Sequence, residues 1–201
     1  MNALIVIAHP HTGSLTHALA TEFQLGLEEA GHTAELSDLY AMHFNPCMSE
    51  DEFLRETCRT PDLPIEADVE AEHAKILRAD ALAIFYPLWW TDCPAILKGW
   101  FDRVHSREFA YKYEGGKHVV PDSYRGVKKA YVFCAAGRSN EDLDGCGMTA
   151  SMKQLMINDR LLGVGVQSAE FVLYGSANSG DEGLAKCYLG KTRELGRSLG
   201  Q

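Results

Sequence analysis

The sequence predicts an α/β fold: a doubly wound, five-stranded parallel sheet with helices on both faces. Three observations point there. Short all-apolar runs, such as Ala3–Ala8 and Ala81–Tyr86, have strand length and read as strands covered on both faces. They alternate with amphipathic stretches of helical period, which is the rhythm of βαβ units. A length of 201 residues with 46% hydrophobic and 23% charged content suits one full-sized core, so a single domain over residues 1–201 is the economical count.

The elements follow in order. Ala3–Ala8 is the first strand, β-branched at Ile5, Val6 and Ile7. A helix follows, capped by Ser14 or Thr16, with Leu15, Ala18, Leu19, Phe23, Leu27 and Ala30 on its apolar positions and Gly31 as its stop. Thr33–Leu36 is a short second strand. Ala41–Ile65 holds Pro46, Pro61 and Pro64 without a clean period; it reads as a long connection with a helical piece around Ser49–Cys58. Glu66–Arg78 is helical, with Val69, His73, Ile76 and Leu77 near one face. Ala81–Tyr86 is the third strand, broken at Pro87, and Ala95–His105 the next helix. Glu108–Val120 carries a turn at Gly115–Gly116. Lys128–Ala136 is the fourth strand, Asn140–Leu162 contains a helix from about Met148, and Gly165–Leu173 is the fifth strand. Asp181–Leu199 is a terminal amphipathic helix with Leu184, Cys187, Tyr188, Thr192, Leu195 and Leu199 inward.

Composition excludes several classes. A net charge of −9 argues against nucleic acid or an anionic membrane as main partner. The Ala3–Ala8 run is too short for a signal-peptide core or a membrane span, so a soluble, cytoplasmic protein is expected. Six cysteines stand singly, at 47, 58, 93, 134, 146 and 187, without CxxC or zinc-type spacing; they are expected to be reduced thiols, several of them buried, and no metal is expected.

Four stretches at strand ends could carry chemistry. His9–Thr16 (HPHTGSLT) brings hydroxyl and small residues to a helix start, where free N–H groups and the helix dipole favour phosphate; simple capping explains it equally well. Pro87–Pro94 places Trp89 and Trp90 beyond the third strand, either as a packing plug or as the wall of a flat aromatic ligand. Cys134–Gly137 (CAAG) is small enough for backbone to approach a ligand, or simply packs closely. Phe109–Tyr113 (FAYKY) alternates aromatics, which is also the pattern of a half-buried edge strand. Together they are the equipment for a phosphate-bearing, flat ring system such as a flavin. In open α/β sheets ligands bind beyond the carboxyl ends of the strands.

ALIVIAHPHTGSLTHAL, SDLYAMHFNP, YPLWWTDCPAILKGWFDRV and EFAYKY, in this order, resemble the NAD(P)H:quinone oxidoreductase family of DT-diaphorase type, over roughly Ala3–Ala136. The resemblance implies a flavodoxin-like fold, a homodimer with shared active sites, and two-electron reduction of a quinone or similar flat acceptor. NADH or NADPH would be the reductant and a bound flavin the carrier, FAD or alternatively FMN. By position it implies that His9, Ser14, Leu15 and Thr16 hold the flavin phosphates and that Pro87, Leu88, Trp89 and Trp90 line its ring. Cys134, Ala135, Ala136 and Gly137 match the family's Thr-Thr-Gly-Gly segment at the ring edge, with the hydroxyls lost. Trp90, Tyr111 and Tyr113 match substrate-side aromatics, the tyrosines acting from the partner subunit. The family's catalytic Tyr and His fall on Asn140 and Cys146, and Asn has no titratable proton. These departures keep two other readings open: a redox-sensing ancillary subunit of a transporter, and a flavodoxin-like electron carrier.

Overall fold

The computed structural model describes residues 1–57, 60 and 62–200. Cys58, and with it the expected end of the helical piece from Ser49, lies outside them. The elements are β1 (Asn2–Ile7), α1 (Leu15–Glu29), β2 (Thr33–Asp38), α2 (Glu50–Glu56), α3 (Ala67–Arg78), β3 (Ala81–Pro87), α4 (Ala95–Val104), β4 (Lys112–Glu114), β5 (Lys117–Val119), β6 (Lys129–Ala135), α5 (Asn140–Gly145), α6 (Met148–Lys153), β7 (Ala169–Tyr174) and α7 (Glu182–Arg197). Five strands form one parallel sheet in the order β2-β1-β3-β6-β7, and β4–β5 is a separate antiparallel hairpin. With the hairpin set aside, this is the 2-1-3-4-5 order of flavodoxin-like sheets, whose chain direction switches between β1 and β3.

Side-chain alternation explains the continuous apolar runs. Leu4, Val6, Leu82, Ile84 and Val132 pack with Val69 and Ile76 of α3 and Leu97 and Trp100 of α4. Ala3, Ile5, Ile7, Phe85 and Phe133 pack with Leu19, Phe23 and Leu27 of α1 and with Leu199 beyond α7. In β1 from Ala3 onward and throughout β3 the residues are thus buried on one face or the other, whereas the edge strands β2 and β7 keep exposed positions such as Leu36 and Glu170.

Two contacts are made by backbone. α1 and α7 approach so closely that a Cβ on Gly26 would lie 2.1 Å from the Arg193 carbonyl oxygen, and one on Gly196 would lie 2.3 Å from that of Phe23. On the other face, a Cβ on Gly99 of α4 would lie 2.2 Å from the Pro46 carbonyl oxygen. That contact seats the long connection 41–65. Arg103, with 0% of its side chain exposed, ties it down. Its guanidinium donates to Glu52 (2.8 Å), the Asn45 carbonyl (2.7 Å), Glu66 (2.9 Å) and Asp68 (2.9 Å), and lies 5.1 Å from the Phe44 ring centroid. Burial alone would raise the Asp68 carboxyl; the Arg103 charge and hydrogen bonds outweigh it and hold Asp68 below its ordinary value. α2 carries its own capping box, Ser49 with Glu52.

Several boundaries differ from expectation. β2 runs on to Asp38. Pro87 closes β3 instead of breaking it, because a last strand residue can forgo its N–H. α5 was not expected. The helix from Met148 continues as a π-helical stretch, Gln154–Asp159. β7 starts at Ala169, since Gly165 sits at φ 105° in the preceding turn. Cys187 is exposed: Leu184, Tyr188, Leu195 and Thr192 define the inner stripe of α7, and Cys187 falls beside it.

Candidate active site

The loops that follow β1, β3, β6 and β7 converge on one end of the sheet. After β1 the chain turns through His9–Gly13 to Ser14, whose Oγ accepts the His17 N–H at 3.3 Å and caps α1. The N–H groups of Leu15 and Thr16 have no partner among the described residues. They are first-turn donors of a fifteen-residue helix, a ready anion site. The His11 N–H donates to His9 Nδ1 at 3.0 Å. A neutral His9 therefore carries its hydrogen on Nε2. Burial holds its imidazole below the ordinary histidine value.

Beyond β3 the chain makes a tight two-residue turn. Trp89 and Asp92 exchange both backbone hydrogen bonds, at 3.0 and 3.1 Å, and Trp90 and Thr91 take φ of 47° and 66°. Left-handed values at both central positions make a type I′ turn, normally the place of Asn-Gly. Arg160, at the end of the π-helical stretch, holds the base of this turn. Its Nη1 donates to Asp92 at 3.3 Å and its guanidinium lies 5.1 Å from the Phe101 ring centroid. Burial would raise the Asp92 carboxyl, but the Cys93 N–H and Arg160 more than compensate and hold it low.

A cavity of 270 Å³ lies between these loops, lined by His9, Ser14, Leu15, Thr16, Pro87, Leu88, Trp89, Ala135 and Gly137, together with Ala177 and Asn178 after β7. The lining suits a flavin. Orphan N–H donors stand at one part, the Trp89 ring and Leu88 offer an apolar wall at another, and Gly137 leaves room where its Cβ would come within 3.1 Å of Asn178 Nδ2. Among the described residues, no lysine or arginine lines it.

Other expected residues lie elsewhere. Trp90 is 99% exposed, because the left-handed turn projects it away from the cavity of its own chain. The Cys134 side chain packs in the core on the α3–α4 face, and Ala136 spends its N–H on the Tyr174 carbonyl at 2.8 Å; neither lines the cavity. Asn140 donates to the Leu173 carbonyl and Cys146 Sγ rests on that of Leu143, so neither faces the cavity. Tyr111 and Tyr113 also stand outside it. Tyr111 donates to Glu56 at 3.0 Å and lines a second cavity, of 370 Å³, with Phe101 and His105; burial and the Glu56 charge push its phenol up to about 12. Tyr113 is half-exposed on β4.

Sequence reasoning missed Asn178, Asp92 and Arg160. Asn178 follows the C-terminal end of a strand, and the rule applied to the other loops would have found it. Arg160 had no local signal, since the π-helical stretch positions it. Cysteine reactivity follows from burial. Burial pushes the Cys93 and Cys134 thiols up to about 12, whereas Cys47, Cys146 and Cys187 are exposed. Iodoacetamide at neutral pH is expected to label Cys47, Cys146 and Cys187 and to spare Cys93 and Cys134, as read by peptide mass spectrometry. Fast labelling of the latter pair would contradict this packing. Among the described residues there is no metal-binding cluster of His, Cys, Asp or Glu, and no helix long and apolar enough to cross a membrane.

Comparison with known proteins gives the same picture. A family model described as a flavodoxin-like fold matches residues 1–189. An uncharacterized NAD(P)H oxidoreductase of Haemophilus influenzae is 34% identical over 190 residues, covering 94% of this chain and 91% of that protein. NAD(P)H dehydrogenase (quinone) 1 of Rattus norvegicus is 37% identical over 124 residues; the match covers 55% of this chain but only 45% of the rat protein. The solved NAD(P)H:quinone oxidoreductase of Methanothermobacter marburgensis aligns with a TM-score of 0.92 and 44% identity, covering 99% of this chain and 98% of that one. With the switch-point cavity and the strand order in hand, these matches show that the chain belongs to the NAD(P)H:quinone oxidoreductase family of flavodoxin-like fold.

Proposed function

We propose that the protein carries reducing equivalents from NADH or NADPH, through a bound flavin, to a quinone or similarly flat acceptor. One observation carries this reading: at the sheet's switch point, unpartnered helix N–H donors and an aromatic wall border the same cavity. The flavin, when bound, supplies the two-electron chemistry. The chain supplies the rest. Leu15 and Thr16 N–H, with Ser14, hold the phosphate. Pro87, Leu88 and Trp89 wall the ring, and Ala135 and Gly137 let it approach the backbone. His9 presents an Nε2–H donor beside them. Asn140 and Cys146 do not reach the cavity, and among the described residues His9 is the one titratable side chain lining it.

FAD is the proposed flavin, with FMN as the alternative. We place the protein in the cytoplasm as a homodimer, with Tyr111 and Tyr113 covering the partner's site. The exposed apolar side chains of Met48, Leu155 and Leu162 support such an interface. The test is direct. The purified protein should show the visible flavin absorbance, release FAD or FMN on denaturation, and oxidise NADH or NADPH with menadione as acceptor. A colourless protein that cannot be reconstituted would sink the reading. Gly137→Val should weaken flavin retention by roughly tenfold or more, about 1.4 kcal/mol, at unchanged circular dichroism; unchanged retention would remove Gly137 from the site.

A further inference from the structure

His17 makes two side-chain hydrogen bonds that the reading above does not use. Its Nε2 lies 3.1 Å from Asp38 Oδ2 and its Nδ1 lies 3.1 Å from Ser14 Oγ. Both partners are held. Asp38 closes β2 and its other oxygen accepts the Ala41 N–H at 3.1 Å. Ser14 lines the cavity and already accepts the His17 N–H. The side chains of His17 and Asp38 are 13% and 15% exposed, so water competes weakly.

The hydrogens follow by elimination. A carboxylate only accepts, so His17 Nε2 carries a hydrogen in every state. A serine hydroxyl has one hydrogen to give. When His17 is neutral, Nδ1 is a lone pair, and the Ser14 hydrogen must turn toward it. When His17 is protonated, Nδ1–H donates to Ser14, and the Ser14 hydrogen is free to turn into the cavity.

We propose that His17, oriented by Asp38, is a proton-linked positioning residue: its protonation turns the Ser14 hydroxyl toward a phosphate oxygen in the cavity, so that a phosphate-bearing ligand and a proton bind together. This rests on the assignment of the cavity to a phosphate-bearing flavin. Several groups face His17. Asp38, from β2, accepts from its Nε2. His9, from the loop after β1, meets the His17 ring edge-on at 6.2 Å. From α1 itself there is only the Thr21 hydroxyl, on the His17 carbonyl. A bound phosphate adds a negative charge and an acceptor, which favours the protonated form. Linkage is reciprocal, so phosphate affinity falls as pH rises, by at most about tenfold per pH unit for one proton.

The experiment is a binding titration of the apoprotein, followed by flavin fluorescence, with FMN and with riboflavin, from about pH 5.5 to about pH 8.5, the range in which histidines titrate. Riboflavin has the same ring and no phosphate. The expected result is an FMN Kd that rises with pH relative to that of His17→Phe, by up to about tenfold per unit, against a flat riboflavin Kd. The ionisation of the FMN phosphate itself runs the other way, so it cannot mimic this. His17→Phe should remove this rise and should not bind at the weak level, because without the Nδ1 lone pair the Ser14 hydrogen is free to turn into the cavity at every pH. A weakening of FMN binding with rising pH that persists in His17→Phe overturns the proposal, since another group then owns the proton; so do FMN profiles of the same shape in wild type and His17→Phe, which share the phosphate's own ionisation. If neither flavin binds at any pH, the cavity assignment itself fails. Should His17→Phe not fold, nitrogen NMR of histidine-labelled wild type with inorganic phosphate decides: Nδ1 of His17 must gain a proton on phosphate addition near neutrality, and an unchanged ring signal overturns the proposal.

Discussion

Arg103→Ala is expected to cost about 3–5 kcal/mol of unfolding free energy. The substitution leaves Glu52, 1% exposed, as a buried carboxylate without its cation, and frees the Asn45 carbonyl. Glu66 and Asp68 lose the same partner but are 41% and 34% exposed, so water recovers part of their loss. Most of the penalty therefore sits on Glu52. Arg103→Lys should restore only part of it, because one ammonium cannot reach acceptors fanned over three carboxylates and a carbonyl. Urea unfolding of the two variants beside wild type is the measurement. A loss under about 1 kcal/mol for Arg103→Ala would mean that the Gly99–Pro46 contact and the Glu56 hydrogen bonds from Tyr111 and the Arg107 N–H hold the connection without Arg103.

Gly26→Val is expected to cost about 3 kcal/mol or more, with a fall in Tm of roughly 6–12 °C. Its Cβ would meet the Arg193 carbonyl oxygen at 2.1 Å, and a backbone atom of a long helix cannot step aside as a side-chain tip can. α7 must then move off α1. Gly190→Val in α7 is the control, because nothing lies within 4 Å of that position. Equal shifts for the two would reduce the effect to helix propensity. Because α1 also presents Ser14, Leu15 and Thr16 to the cavity, the same variant should bind flavin more weakly than its stability loss alone explains.

The inner strands were legible in the sequence because their apolar runs are a burial problem with one solution: Ala3–Ala8 and Ala81–Tyr86 can only sit between two helical layers. The loop proposed for phosphate was legible as a helix start, which Ser14 announces. What escaped was set by tertiary contact. The seating of residues 41–65 depends on Gly99 meeting Pro46 and on Arg103 reaching four partners distant in sequence. The direction of Trp90 depends on two left-handed φ angles at residues that rarely adopt them, which no periodicity encodes. Cys134 was misjudged because alternation turns its side chain into the core and leaves Ala135 and Gly137 to the cavity.

The three tryptophans occupy three solvent regimes: Trp100 is sealed, with its Nε1–H on Glu72 at 2.9 Å; Trp89 is 42% exposed at the cavity edge; and Trp90 stands at 99%. Intrinsic fluorescence is therefore spatially resolved. A soluble collisional quencher meets Trp90 first, a ring bound in the cavity takes its energy chiefly from Trp89, and Trp100 reports on the core. The strained turn makes Trp90 an optical marker for whatever closes over that end of the sheet.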